Sequence, residues 1–115
     1  MNFNEYQKLA KKTEWLSDKE ELKIFGNDLV NATLGIAGEA GEFADKIKKL
    51  YRDKGGKLDA QYKQDLIYEL GDILWYMAKM AGKLGVKFDV IARMNIKKLA
   101  SRKKRGKLAG SGDHR

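Results

Sequence analysis

Four acidic residues at helical spacing are the side chains of this sequence best suited to chemistry. Glu39 and Glu42 are three residues apart, and so are Glu69 and Asp72. Side chains at this spacing are neighbours on one face of a helix. The two pairs are mirrored about the Gly55–Gly56 dipeptide. A turn at these glycines between two antiparallel helices would therefore bring all four carboxylates to one level.

Carboxylates that converge in this way indicate a site for divalent metal ions. Carboxylates at close range repel one another unless a cation binds between them. Oxygen ligands of this kind suit Mg²⁺, and Mn²⁺ can substitute for it. A single ExxE pair is more often a solvated helix face, but here two mirrored pairs border apolar residues. The only histidine is His114, so the ExxH motif of di-iron bundles is missing. We therefore predict a carboxylate-only catalytic metal site.

The segments that must position these acids are predicted to be helices. Proline is absent, and apolar residues recur at steps of three and four. The first expected helix is capped by Asn4 and ends near Thr13, and a short second one covers 18–25 after Ser17. Two long helices cover 29–52 and 60–84. The last expected helix is capped by Asp89 and ends near Arg105.

The two long helices carry apolar stripes with alternating spacing, which favours packing against each other. The stripes are Ile36, Ala40, Phe43, Ile47 and Leu50 on one helix, and Leu66, Leu70, Ile73, Met77, Met80 and Leu84 on the other. The expected fold is an all-α helical bundle with a central antiparallel helix hairpin. A chain of 115 residues with this arrangement leaves apolar surface exposed, so we expect an oligomer. The predicted domain covers 1–105, and 106–115 form a Gly-rich basic tail beyond the helical core.

The net charge of +8 is concentrated near the end of the chain, where residues 102–115 contain six basic residues and one acid. Such a tail attracts polyphosphates as readily as nucleic acid. One alternative function is therefore a non-enzymatic basic helical module that binds nucleic acid or an acidic partner. That alternative leaves the mirrored acids unexplained, and nucleic acid is not the expected partner.

Composition also bears on the location of the protein. Cysteine is absent, in keeping with a reducing compartment. The first residues have no apolar leader, and no apolar run approaches the roughly 20 residues that span a bilayer. We expect a soluble, cytoplasmic protein with no membrane association.

Two segments resemble the signature of the MazG-like, all-α nucleoside triphosphate pyrophosphohydrolases: LGIAGEAGEFADKIKK at 34–49 and YELGDILWYMA at 68–78. Segments 4–13, 95–99 and 105–115 are similar to a small phage and bacterial branch of that family. The resemblance implies hydrolysis of a nucleoside or deoxynucleoside triphosphate between the α and β phosphates. It also implies Mg²⁺ at Glu39, Glu42, Glu69 and Asp72, a role in nucleotide-pool cleaning or control, and a homodimer or homotetramer.

The sequence departs from the family pattern at one position near the first acidic pair. Many members have a glutamate where this chain has Gly38. The general base is thus left open between one of the four carboxylates and a metal-activated water.

The candidate substrate-binding residues lie on the last two predicted helices. Asn95, Lys98 and Arg102 share one helix face, and the two basic side chains can neutralise triphosphate oxygens. The family resemblance favours Asn95 and Lys98 near the substrate. Tyr76 follows Asp72 by four residues and is a candidate for stacking on the base. The structural alternatives are a solvated basic face for the residues of the last predicted helix and core packing for Tyr76.

Overall fold

A computed structural model describes all 115 residues, and it is entirely helical. The five helices, in chain order, are α1 (Phe3–Lys11), α2 (Asp18–Phe25), α3 (Val30–Lys54), α4 (Ala60–Lys83) and α5 (Phe88–Lys104). The predicted all-α class is confirmed. The structure contains no helix both long and apolar enough to cross a membrane.

The helices α3 and α4 form the predicted antiparallel hairpin. Gly55 and Gly56 have φ values of 59° and 78°, a left-handed backbone that glycine adopts without strain. Asp59 caps α4 by accepting a hydrogen bond of 2.7 Å from the Tyr62 N–H. The Tyr62 hydroxyl in turn donates to the Lys46 carbonyl on α3 at 2.5 Å. The turn and this contact fix the register in which the acidic residues of the two helices meet.

The small core lies where α1 and α5 pack against α4. Its buried members are Ala10, Ala78, Ala81 and Phe88. Three alanines allow α1 and α4 to approach closely, and Phe88 fills the space at the start of α5.

Two predicted helix caps are wrong. Asn2, not Asn4, caps α1, accepting a hydrogen bond of 2.9 Å from the Glu5 N–H. The side chain of Asn4 instead accepts a 3.0 Å hydrogen bond from the Asp89 N–H. Asp89 is not the cap of α5, because the helix begins at Phe88 and Lys87 occupies the N-cap position. Sequence spacing shows only local caps and does not reveal one provided by another helix.

The helix α2 is attached to the bundle through a buried ionic cluster. Glu21 is fully buried, and its carboxylate pairs with the ammonium of Lys79 and lies 2.8 Å from that of Lys83. Asn31 donates a further hydrogen bond of 3.2 Å. Burial raises the pKa of Glu21, but the hydrogen bonds from Lys79, Lys83 and Asn31 outweigh burial and lower the pKa to about 2. We call Glu21, Lys79 and Lys83 the buried ionic cluster.

The C-terminal residues do not extend away from the helical core as predicted. The Arg102 guanidinium donates hydrogen bonds to the carbonyls of Gly112 and Asp113, at 3.1 and 3.0 Å. The segment after α5 therefore folds back onto that helix.

A close helix contact at Gly35 gives the first testable prediction. A Cβ atom at Gly35 would lie 2.2 Å from the Tyr76 Cδ1 and 2.5 Å from its Cγ. Gly35→Ala should therefore force the ring of Tyr76 to move and destabilise the protein by about 1–3 kcal/mol. Denaturant unfolding of the variant measures this loss.

Gly38→Ala is the matched control, because no atom lies within 4 Å of the added methyl group. Alanine is the better helix former, so this variant should be as stable as the unsubstituted protein or more stable. Equal stability of the Gly35 and Gly38 variants would contradict the close contact.

Candidate active site

Three of the four predicted acidic residues converge between α3 and α4. One carboxylate oxygen each from Glu39, Glu69 and Asp72 lies within 4.8 Å of the other two. Glu39 lies on α3, whereas Glu69 and Asp72 lie on α4. Glu69 and Asp72 share one face of α4 because they are about one turn apart. The hairpin thus brings residues 30 positions apart in the chain to one place.

The electrostatics of this acidic cluster are unfavourable for the protein alone. Burial raises the pKa of Glu39, and the charges of Glu42, Asp72 and Glu69 raise it further. The Glu69 Oε2 atom is buried and has no hydrogen-bond partner. Its Oε1 atom lies 3.4 Å from the Lys46 ammonium. Among the four acids, only Glu69 forms a salt bridge, and its partner is Lys46. The buried Oε2 atom of Glu69 remains without a hydrogen-bond partner.

Glu42 lies beside the cluster, on the wall of an open groove of about 490 Å³ between the hairpin helices. Gly38 and Gly41 also border the groove, and a Cβ atom at either position would meet nothing within 4 Å. These glycines leave room for a ligand next to the carboxylates. The complete lining is Gly38, Gly41, Glu42, Asp45, Lys46, Lys49, Tyr62, Asp65 and Glu69.

The groove contains residues that the sequence analysis missed. Lys46 follows Glu42 by four residues, and Asp65 precedes Glu69 by four. Helical spacing alone would place each of them on the same face as its acidic neighbour. The missed signal was therefore present in the sequence.

Tyr6 is a further neighbour of the cluster that was not predicted. Burial raises the pKa of the Tyr6 hydroxyl, and the charge of Asp72 adds to the effect. Tyr6 belongs to α1, which reaches α4 only through tertiary packing. No local pattern in the sequence could have indicated this position.

The predicted substrate-binding residues of α5 lie apart from the acidic cluster within one chain. The helix α5 packs on α1 and α4 and has no packing contact with α3. Asn95 is exposed, and Lys98 lies 3.1 Å from the Asp113 carboxylate. The Arg102 side chain is 5% exposed, and its hydrogen bonds go to the C-terminal residues. The cationic groups of Lys98 and Arg102 therefore contact the C-terminal residues and not the four acids.

Tyr76 lies at the crossing of α3 and α4. Its ring is partly buried against the Gly35 backbone, and it packs edge-on to Trp75 with 4.9 Å between the ring centroids. Trp75 donates its indole N–H to the Thr13 hydroxyl at 2.7 Å. Packing thus accounts for one face of the Tyr76 ring, as the structural alternative expected.

A family model described as the MazG nucleotide pyrophosphohydrolase domain matches residues 29–106. The chain is also similar to the Gene 37 protein of Mycobacterium phage L5, with 48% identity over 83 residues, which cover 72% of this chain and 73% of the phage protein. No solved structure matches. The matched region contains both acidic pairs and the turn between them.

Proposed function

This chain belongs to the MazG nucleotide pyrophosphohydrolase family, and on that basis we propose that it hydrolyses a nucleoside or deoxynucleoside triphosphate with Mg²⁺. The bond broken is the one between the α and β phosphates, and the products are the monophosphate and pyrophosphate. The observation that carries the proposal is the convergence of Glu39, Glu69 and Asp72 within 4.8 Å. Family membership supports pyrophosphohydrolase activity in general.

The acidic cluster fits a divalent cation. Hard cations prefer carboxylate oxygens, and the buried Glu69 Oε2 atom lacks a partner that such an ion would provide. Glu39, Glu69 and Asp72 would hold Mg²⁺, or Mn²⁺, with Glu42 beside them on the groove wall. When bound, the ion supplies positive charge to the phosphate oxygens and activates water for attack.

The residues of the groove provide the remaining functions. The Lys46 ammonium is 3.4 Å from Glu69 and would neutralise phosphate oxygens that enter the groove. The open backbone at Gly38 and Gly41 gives the triphosphate access to the carboxylates. The groove therefore combines acidic residues that hold a cation with a basic residue that meets the substrate.

The α5 residues and Tyr76 are further proposed substrate contacts, and those on α5 lie apart from the acidic cluster of the same chain. Lys98 would exchange its exposed Asp113 partner for a phosphate, and Asn95 lies one turn before it on the same face. Arg102 would act from its buried position by holding the C-terminal residues near Lys98. Tyr76 would border the base from the α3–α4 crossing.

A panel of canonical and modified nucleoside triphosphates, incubated with the protein and Mg²⁺, tests the proposal. Release of pyrophosphate together with the monophosphate from at least one nucleotide is expected. No release from any nucleotide, together with salt-sensitive DNA binding, would instead support the basic binding module. The preferred nucleotide would also show whether the protein cleans the nucleotide pool or controls its size.

Self-association is a further part of the proposal. Only nine of the 115 residues are buried, and large apolar side chains remain more than half exposed. Examples on three helices are Leu34 at 58%, Leu70 at 52% and Met94 at 67%. We expect a homodimer or homotetramer that covers these side chains, because exposed apolar surface of this extent favours association.

Sedimentation over a range of protein concentrations measures the assembly. Substitution of Met94 by lysine should shift the population towards monomer if α5 is part of the interface. Ala100→Lys adds the same charge at an exposed small residue of the same helix and is the control for charge alone. A monomer at all concentrations for the unsubstituted chain would contradict self-association.

A further inference from the structure

Residues 106–115 close into a loop whose carbonyl groups are bound by arginine side chains; we call it the C-terminal loop. The Arg115 guanidinium donates to the carbonyls of Lys107, Leu108 and Gly112, at 3.3, 3.1 and 2.5 Å. Arg102 donates to the carbonyls of Gly112 and Asp113. The conformation of the loop is thus set through its carbonyl oxygens.

The backbone N–H groups of the same loop are left free. Lys107 is the last residue whose N–H donates to a backbone carbonyl, and the N–H groups of 108–115 have no carbonyl partner. Gly110 and Gly112 have φ values of 122° and 82°, whereas Ser111 and Asp113 have negative φ. Alternation of this kind occurs in backbone nests, where successive N–H groups point to one side and bind an anion.

Two cationic side chains lie beside these N–H groups. The Lys98 ammonium is 3.1 Å from the Asp113 carboxylate, and an Arg102 guanidinium nitrogen is 3.6 Å from it. Arg102 is 4% exposed, and its Nε atom is buried without a hydrogen-bond partner. The Asp113 side chain, in contrast, is 79% exposed, so its ion pair is easily exchanged with solvent.

We propose that the C-terminal loop is a binding site for a phosphate oxyanion. Lys98 and the free N–H groups of 110–113 donate to the anion, and Arg102 holds the loop in place through the carbonyls of Gly112 and Asp113. Asp113 is the internal carboxylate that the anion displaces from Lys98. The ligand is either free pyrophosphate or the phosphate chain of a nucleotide. Identifying the ligand as one of these two molecules rests on the proposed function, whereas the existence of the anion site does not.

Titration calorimetry with inorganic pyrophosphate tests the site in the full chain. The chain carries Glu69→Gln and is kept free of divalent metal, so that the acidic cluster does not contribute. A second substitution, Gly112→Ala, should weaken pyrophosphate binding by about tenfold or more, because a Cβ atom disfavours the φ of 82° and so turns the loop N–H groups away from the charged ligand. A non-hydrolysable nucleoside triphosphate is titrated in parallel. Tighter binding than pyrophosphate assigns the loop to the substrate, and equal or weaker binding assigns it to the product.

Gly85→Ala is the matched control for backbone strain. Gly85 has a φ of 70°, close to the 82° of Gly112, and a Cβ atom at either position would meet nothing within 4 Å. Asp113→Asn removes the competing charge and should tighten pyrophosphate binding by about two- to fivefold. Equal binding by the Gly112 and Gly85 variants, weaker binding by Asp113→Asn, or no binding by the reference chain would each overturn the inference.

The two proposals fail separately in this design. Absence of pyrophosphate binding, with normal nucleotide turnover by the unsubstituted chain, would defeat the loop site alone. Binding at the loop without turnover of any nucleotide would defeat the proposed function alone.

Discussion

Glu69→Gln should lower kcat/KM for the preferred nucleotide by about a thousandfold while the protein remains folded. The side chain of Glu69 is 13% exposed, and one of its carboxylate oxygens is buried without a hydrogen-bond partner. Gln keeps the shape of the side chain but removes the negative charge that would hold a divalent cation, and such a cation contributes several kcal/mol to the reaction. Pyrophosphate release at saturating Mg²⁺ measures the loss.

Thermal unfolding without metal separates loss of chemistry from loss of structure. Because the substitution removes one of several like charges that lie within 4.8 Å of one another, the variant should unfold at the same temperature as the unsubstituted protein or higher. Glu20→Gln is the control, since Glu20 is exposed and lies on α2. A Glu69→Gln variant with near-normal turnover would show that this residue has no catalytic role.

Glu21→Gln should reduce the free energy of unfolding by about 3–5 kcal/mol at neutral pH. Glu21 is completely buried, and it neutralises the ammonium group of Lys79, which has a side chain only 3% exposed. Removing one partner of a buried ion pair leaves an uncompensated charge in the interior. Denaturant unfolding measures the loss, and the neighbouring Glu20→Gln variant should change stability by less than about 0.5 kcal/mol.

The same substitution has a defined pH dependence. The pKa of Glu21 is lowered in the folded protein to about 2 from an ordinary value of 4.5. Its ionised form therefore stabilises the fold fully above pH 4.5, and this contribution is lost as the pH falls towards 2. The difference in stability between the unsubstituted protein and Glu21→Gln should narrow over this range. A difference that stayed constant down to pH 2 would contradict the role of the buried ionic cluster.

The hairpin and the meeting of its acids were predictable because they follow from local patterns. Gly55 and Gly56 mark the turn, and helical spacing places Glu69 and Asp72 on one face. The mirrored position of Glu39 then follows from the antiparallel packing. Periodicity and turn chemistry are sufficient for these features, since both are encoded within a few residues of each position.

Features that depend on contacts between distant segments were not predictable in the same way. Glu21 reads as one acid among several on a short helix, and only the fold shows that it lies against Lys79 and Lys83. The cap that Asn4 provides to α5 joins residues 85 positions apart. The folded C-terminal loop depends likewise on Arg102, whose spacing with Lys98 suggested a substrate contact on the helix surface. Spacing indicates which face a side chain shares, but not which segment packs onto that face.

Crystals grown with Mn²⁺ and a non-hydrolysable nucleoside triphosphate test the central claim most directly, because manganese is located by its anomalous scattering. The account predicts an anomalous peak between α3 and α4, coordinated by Glu39, Glu69 and Asp72 and by phosphate oxygens. These carboxylates turned away from one another, with nucleotide bound elsewhere and no peak between the two helices, would contradict it.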